Sequence, residues 1–278
     1  MNYVGASLST PVCDWVLFDW GASVAGEFIP WMTCLLKNPF PTLLFLSSQL
    51  MIISVLIPAY NEAERIADTI RAVRSLPYPL EIIVVDDGST DSTAEKAAGA
   101  DFVHRQRNGG KGKALNEALR LAQGEILLLL DADLGGSASE AEKLLLPLLE
   151  ERADMMIALF PRDPNTKAGG AGFVVRRARE GIFRLTGRTM RAPLSGQRAV
   201  KREVVIACGG FAEGWGVEVA LTVQALKKDY RVEEVETQMR HRVTGRSLSS
   251  ILHRYRQYRQ IGKVLQKLET PIEPEEKG

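Results

Sequence analysis

Cysteine is scarce in this chain. Cys13, Cys34 and Cys208 are the only three among 278 residues, and they show no paired spacing. So small and odd a number builds neither a disulfide framework nor a zinc site, and it suits a reducing, cytoplasmic compartment. Charge of one sign is missing as well. The formal net charge is +1, so the total makes no case for a nucleic-acid partner, and none is expected. No basic leader precedes an apolar run at the start, which disfavours a secretory signal. Phe40 to Tyr60 is apolar enough to suggest a membrane span. However, Pro41 and Pro58 bracket it, Ser47, Ser48 and Gln49 interrupt it, and a span wants about 20 uninterrupted apolar residues. No internal repeat is apparent.

What remains is an ordinary globular composition, 45% hydrophobic and 25% charged, in a chain long enough to bury a core without staples. Residues 1–50 stand apart: they carry three of the four tryptophans and only four charges, Asp14, Asp19, Glu27 and Lys37. Met51 directly precedes the first recognisable element. The expectation is an atypical extension over 1–50, either disordered or not native, with a hydrophobic anchor as the competing idea. One domain is expected over 51–268, followed by a disordered polar tail over 269–278.

From Ile52 onward short apolar runs alternate with helical spacing. IISVLI (52–57), LEIIVV (80–85) and ILLLL (126–130) read as buried strands, with shorter strands near 101–104, 155–160, 195–200 and 231–235. Between them, Ile66, Ile70 and Val73 fall at helical spacing behind Asn61, a candidate N-cap. Further helices are expected over 94–98, 113–122, 138–150, 217–226 and 247–268, and a basic amphipathic one after Phe173. This alternation predicts an α/β fold, a mainly parallel central sheet with helices on both faces. Such sheets bind ligands at the carboxyl ends of their strands. Three polar segments lie at such ends: Pro58–Glu62, Asp86–Asp91 and Asp131–Asp133.

Asp131 and Asp133, one residue apart after a buried strand, can aim oxygens at a hard divalent cation, Mg²⁺ or Mn²⁺; a solvated acidic turn is the plainer alternative. His241 is a candidate third ligand, or an ordinary surface histidine between two arginines. A carboxylate at Asp86 or Asp87 can accept a hydrogen bond from a nucleobase or ribose, or merely hold an Asx turn. Asn108–Lys113 is glycine-rich but fails the Walker pattern, because Arg107 replaces the first glycine and Ala114 the hydroxyl residue; Lys111 can still reach a nucleotide. Glu218, after a glycine turn, can orient an acceptor hydroxyl or simply favour a helix dipole. Arginines cluster over 176–191 and 240–259. They form either solvated helix faces or a positive rim for phosphate or an anionic membrane.

VLIPAYNE (55–62), VVDDGSTD (84–91), GGKGKAL (109–115) and DAD (131–133) together resemble family 2 glycosyltransferases of the GT-A fold. SGQRA (195–199), GWGVEVAL (214–221) and the segment around His241 are similar to the glucosyl-3-phosphoglycerate synthases and the dolichyl-phosphate mannose synthase-like group. The resemblance implies a nucleotide-sugar donor such as UDP-glucose, with Pro58, Ala59, Tyr60, Asn61, Glu62, Asp86, Asp87 and Lys111 around the nucleotide. Asp131, Ala132 and Asp133 would meet the diphosphate and metal, His241 would complete the ligands, and Gly216, Val217 and Glu218 would approach sugar and acceptor. It further implies hexose transfer to a small phosphorylated acceptor such as 3-phosphoglycerate, with Glu218 and Asp133 as the catalytic pair. A polyprenyl-phosphate acceptor at the cytoplasmic membrane face is the alternative, and peripheral membrane contact and a homodimer stay open. The segment Gly169–Arg177 and Met239 depart from the phosphoglycerate pattern. A nucleotidyltransferase, from another class, usually has a glycine-rich loop after its first strand, where PAYNE stands here.

Overall fold

The computed structural model describes residues 52–161, 172–241 and 248–269. The extension expected over 1–50, the tail beyond 269 and most of the Pro/Gly loop before Phe173 lie outside the described residues. So do Arg242 and Arg246, and the side chains of Trp215, Arg254 and Arg256.

Among the described residues, β1 (Ile53–Ala59) leads to α1 (Ile66–Arg74), β2 (Leu80–Asp86), α2 (Thr93–Lys96), β3 (Phe102–Arg105), α3 (Lys111–Leu121) and β4 (Ile126–Leu129). A 3₁₀ turn (Gly135–Ala141) runs into α4 (Glu142–Leu149) and β5 (Met155–Leu159). Then come α5 (Gly172–Thr186), β6 (Arg198–Lys201), α6 (Arg202–Ala207), α7 (Val217–Lys227), β7 (Val232–Glu236) and α8 (Leu248–Glu269). The seven strands form one sheet in the order β3-β2-β1-β4-β6-β5-β7. It is mainly parallel as expected, but β6 runs antiparallel to both β4 and β5.

The strand period of two sorts the apolar residues onto two faces. Leu56, Ile83, Val85, Leu127 and Leu129 pack with α3, α5, α6, α7 and α8. Ile53, Val55, Ile57, Ile82, Val84, Ile126 and Leu128 pack with α1, α4 and the 3₁₀ turn. Central strands buried on both faces read as continuous apolar runs, which is why IISVLI and ILLLL were legible. Each fully buried Leu, Ile or Val stabilises the fold by about 1.5–3 kcal/mol. Cys208 belongs to this core, and burial pushes its thiol up to about 11, far from nucleophilic use.

One capping expectation is corrected. α1 begins at Ile66 with Arg65 in the capping position and no side-chain cap. Asn61 instead adopts φ +55° and accepts the Thr90 N–H at 2.9 Å, while its own N–H donates to Ser89 Oγ at 2.9 Å. The polar residue after β1 latches the turn after β2 rather than starting the helix.

Candidate active site

The three polar segments meet at the edge where β1, β2 and β4 end. At the end of β2 the two aspartates do different work. Asp86 is fully buried; one oxygen accepts the Ser89 N–H at 2.9 Å and the other lies 3.2 Å from Arg105 Nε. It holds the turn and does not reach the cleft, contrary to its expected donor contact. Asp87 faces the cleft and ties down the glycine-rich segment. Its oxygens accept from Gln106 Nε2 at 2.6 Å and from the N–H groups of Gly109 and Gly110, both at 2.8 Å. Gly110 sits at φ +88°, a conformation side chains disfavour, and this lets the chain turn directly into α3. Lys111 is therefore the first residue of a helix rather than part of a loop.

After β4, α1 supports the Asp131–Asp133 turn from behind. Thr69 Oγ1 donates to the Ala132 carbonyl at 2.8 Å and accepts the Gly135 N–H at 2.8 Å, and Arg65 reaches the Asp133 carbonyl at 3.3 Å. With its main chain held, Asp131 receives three further contacts. Lys111 Nζ donates to Oδ1 at 2.7 Å and Gln197 Nε2 to Oδ2 at 2.6 Å, while the Asp131 N–H donates to Gln197 Oε1 at 2.8 Å. Because β6 is antiparallel, its beginning lies at this edge, and that brings Gln197 beside the end of β4.

His241 Nδ1 lies 3.1 Å from Asp133 Oδ1 and 3.9 Å from Asp131 Oδ2. Its ring stacks on Phe160 with centroids 4.4 Å apart and planes inclined by 18°. One ligand atom from each of Asp131, Asp133 and His241 falls within 4.8 Å of the others. Two carboxylates and an imidazole converging this closely fit Mg²⁺ or Mn²⁺. Burial favours neutral Asp131, but Lys111 and His241 outweigh it and hold the carboxyl below its ordinary range. Burial likewise works against a charged His241, yet the two aspartates hold its pKa above the usual imidazole value.

A cleft of about 760 Å³ opens over this edge, lined by Pro58, Ala59, Tyr60, Asp87, Asn108, Gly109, Gly110, Lys111, Asp131, Gly214 and Gln260. Six expected donor residues are thus on its wall. Asn61, Glu62, Asp86, Ala132, Gly216 and Val217 are not. Asn61 and Glu62 brace the neighbouring turn, Glu62 through its N–H to Thr93 Oγ1 at 2.8 Å. Val217 is a core residue at 3% exposure. A Cβ on Gly216 would stand 2.6 Å from Val264 Cγ2, so the absence of a side chain here lets α8 pack close. Glu218 lies behind Lys111, 3.1 Å from Nζ. Beneath it Arg198 is fully buried and pulled down to about 10 by burial, against the opposing pull of Glu218 and Glu234. Gln197, Asn108, Gly214, Gln260 and Phe160 were missed in the sequence. Gln197 lay inside a quoted motif, but only the β4–β6 pairing shows which carboxylate it touches.

A second pocket, about 580 Å³, is lined by His241 together with Phe160, Val175, Arg179, Arg191, Leu194 and Ser195. Arg179 Nε and Ser195 Oγ are buried there without a hydrogen-bond partner among the described residues. Three further arginines of the 176–191 group are paired with carboxylates, which favours the solvated-face reading there; the side chains of the 240–259 group lie mostly outside the described residues. Arg184 pairs with Glu269, Arg188 with Glu233 and Arg191 with Glu236. Arg177 lies over the Tyr258 ring, 4.5 Å from its centroid.

The model of the family described as Glycosyl transferase family 2 matches residues 54–211, the segment that supplies all of the cleft lining except Gly214 and Gln260. The chain belongs to that family. Within it, the chain is 35% identical over 196 residues to the glycosyltransferase AglJ of Haloferax volcanii, 66% of this chain and 62% of that protein. It is 34% identical over 191 residues to the glucosyl-3-phosphoglycerate synthase of Mycolicibacterium smegmatis, 62% of this chain and 63% of that protein. The chain thus spans less than two thirds of the length of these curated relatives. The crystal structure of the Mycobacterium tuberculosis glucosyl-3-phosphoglycerate synthase with Mn²⁺, UDP-glucose and phosphoglyceric acid superposes with a TM-score of 0.67 at 26% identity, covering 84% of this chain and 85% of that one. A second structure of that enzyme, with Mg²⁺ and UDP, gives 0.67 at 25% identity and covers 84% of each chain. The GT-A fold expected from the sequence is thus shared with these family 2 structures. No helix among the described residues is long and apolar enough to cross a membrane.

Proposed function

We propose that this chain transfers a hexose, glucose, from a nucleotide-diphosphate sugar such as UDP-glucose to a small phosphorylated acceptor of the 3-phosphoglycerate type, with Mg²⁺ or Mn²⁺ bound. The observation that carries the reading is the convergence of Asp131, Asp133 and His241, with Asp131 also lining a cleft walled by Pro58–Tyr60 and Asp87. A bound divalent cation there neutralises charge on the departing diphosphate. The protein's own groups do the rest. A carboxylate offers about four acceptor sites. Three described donors use those of Asp87, which leaves capacity for a nucleobase or ribose donor. Phe160 fixes the His241 ring, and Thr69 with Arg65 fixes the turn that carries both aspartates. Glu218 does not line the cleft and stands 3.1 Å from Lys111 Nζ, so we assign it to holding Lys111. Asp133 keeps a role in catalysis through the metal.

The pocket lined by His241 suits the acceptor. Arg179 and Ser195 offer unmet donors to a phosphate or carboxylate. Its apolar wall, Leu159, Val175, Pro193 and Leu194, favours a second reading in which the phosphate is carried on a polyprenyl chain. Incubation with nucleotide sugars, Mg²⁺ and either 3-phosphoglycerate or a polyprenyl phosphate separates the two. Glucose transfer to 3-phosphoglycerate is expected, and transfer to lipid alone overturns the first reading.

A further inference from the structure

Lys111 is committed twice in the cleft. Its Nζ donates to Asp131 Oδ1 at 2.7 Å and lies 3.1 Å from Glu218 Oε1. Gln197 holds the other Asp131 oxygen at 2.6 Å. Both oxygens of this carboxylate are therefore engaged, one of them by a fixed cation. The placement is built into the backbone. Lys111 opens α3 directly after the two N–H groups bound to Asp87, and a Cβ on Gly112 would stand 2.1 Å from the Ala212 carbonyl oxygen, so the helix start is tightly seated. Gly196 leaves the room: a Cβ there would lie 2.3 Å from Lys111 Nζ and 3.3 Å from each Asp131 oxygen.

We propose that Lys111 stands in for the divalent cation in the nucleotide-free protein, and that an arriving diphosphate draws it off Asp131 so that metal and nucleotide bind cooperatively. The inference rests on reading Asp131, Asp133 and His241 as the metal ligands. An ammonium and a dication crowd each other at one carboxylate oxygen, because like charges at short range repel. Metal alone must therefore displace Lys111 from Asp131 with no new partner to receive it. A diphosphate supplies that partner through charge-assisted hydrogen bonds. Lys111 then leaves Asp131 while its ammonium keeps Glu218, 3.1 Å away, as a partner. By linkage, the factor by which nucleotide tightens metal equals the factor by which metal tightens nucleotide.

The test is Mn²⁺ binding by the full chain, followed as free Mn²⁺ by electron paramagnetic resonance, with and without UDP. A protein-free titration corrects for Mn²⁺–UDP. The wild type is expected to bind Mn²⁺ at least about tenfold more tightly with UDP than without it. Lys111→Gln is expected to bind Mn²⁺ alone about tenfold more tightly than wild type and to lose most of the gain from UDP. Gly196→Ala pushes Nζ away while keeping the lysine, so it should also tighten Mn²⁺ alone yet retain UDP binding. If neither variant, each folded by circular dichroism, binds Mn²⁺ alone more tightly than wild type, the stand-in role is overturned. Asp133→Asn tests the underlying reading separately. Loss of Mn²⁺ binding is expected, and unchanged binding overturns the metal site itself rather than the part played by Lys111.

Discussion

The cleft lined by Asp131 and the pocket lined by His241 differ in how their polar groups are held. In the donor cleft Asp87, Asp131 and the neighbouring Asn61 are fixed by hydrogen bonds from other segments. In the second pocket, Arg179 Nε and Ser195 Oγ are buried with no partner among the described residues. The first arrangement is preorganised, so under the proposed function a nucleotide would meet donors and acceptors already in position. The second carries hydrogen-bonding capacity that costs stability until a ligand meets it. A well-braced site and an under-satisfied one, side by side, are what transfer between two different molecules calls for.

The comparison breaks most sharply at the metal ligands. Asp133→Ala is expected to lower transfer at least about a hundredfold, since a bound cation supplies several kcal/mol to the departing diphosphate. Full activity in that variant would sink the metal assignment. Arg179→Ala should raise the acceptor KM by about ten- to a hundredfold, the worth of a hydrogen bond to a charged group, and leave the donor KM unchanged. A matching rise in donor KM would erase the division between the pockets.

Away from both, Asp154 ties β5 to β7 through Arg231, whose Nη2 lies 2.8 Å from Oδ1, and to Lys201 at 3.1 Å. The hydrogen bonds from Arg231, with help from Lys201, hold its carboxyl well below the usual range. A carboxyl depressed in the folded state binds fewer protons there than in the unfolded chain. Its contribution is therefore complete above the unfolded value of about 4 and lost as pH falls below it. Asp154→Asn should cost about 2 kcal/mol near neutrality in urea unfolding, and the gap to wild type should close in acid. A gap independent of pH would show that packing, not the ion pair, is at stake. The smallest effect belongs to the outer arginines. Arg188→Ala removes an exposed pair with Glu233 and should change stability by no more than about 0.5 kcal/mol, with transfer kinetics unchanged.

Much of the donor side could be read in the sequence because its elements are local. A strand, a turn and a helix start follow one another at Pro58, Asp87 and Asp131, and an apolar run ending in a polar cluster marks each junction. What escaped depended on contacts across long separations. Gln197 reaches Asp131 only because β6 is turned round, and nothing in SGQRA reports strand direction. Asp86 and Asp87 are identical in type and adjacent, yet the pleat sends one inward and the other to the cleft. Val217 and Gly216 carried a resemblance to a sugar-binding turn, but the burial of Val217 and the close approach of Val264 to Gly216, 48 residues on, could not be read from that local motif. The arginine cluster misled because its partners Glu233, Glu236 and Glu269 lie far along the chain.

The reversed strand β6 has a consequence for how such a protein can diversify. Its ladders to β4 and β5 lock Arg198 in register, and the Ala158 N–H donates to the Gln197 carbonyl at 3.0 Å, so the whole stretch between β5 and β6 enters and leaves the sheet at fixed anchor points. That stretch contains Arg179, Arg191 and Ser195. The same stretch carries Phe160 at its start and Gln197 at its end, so whatever varies between them is tethered to His241 on one side and to Asp131 on the other.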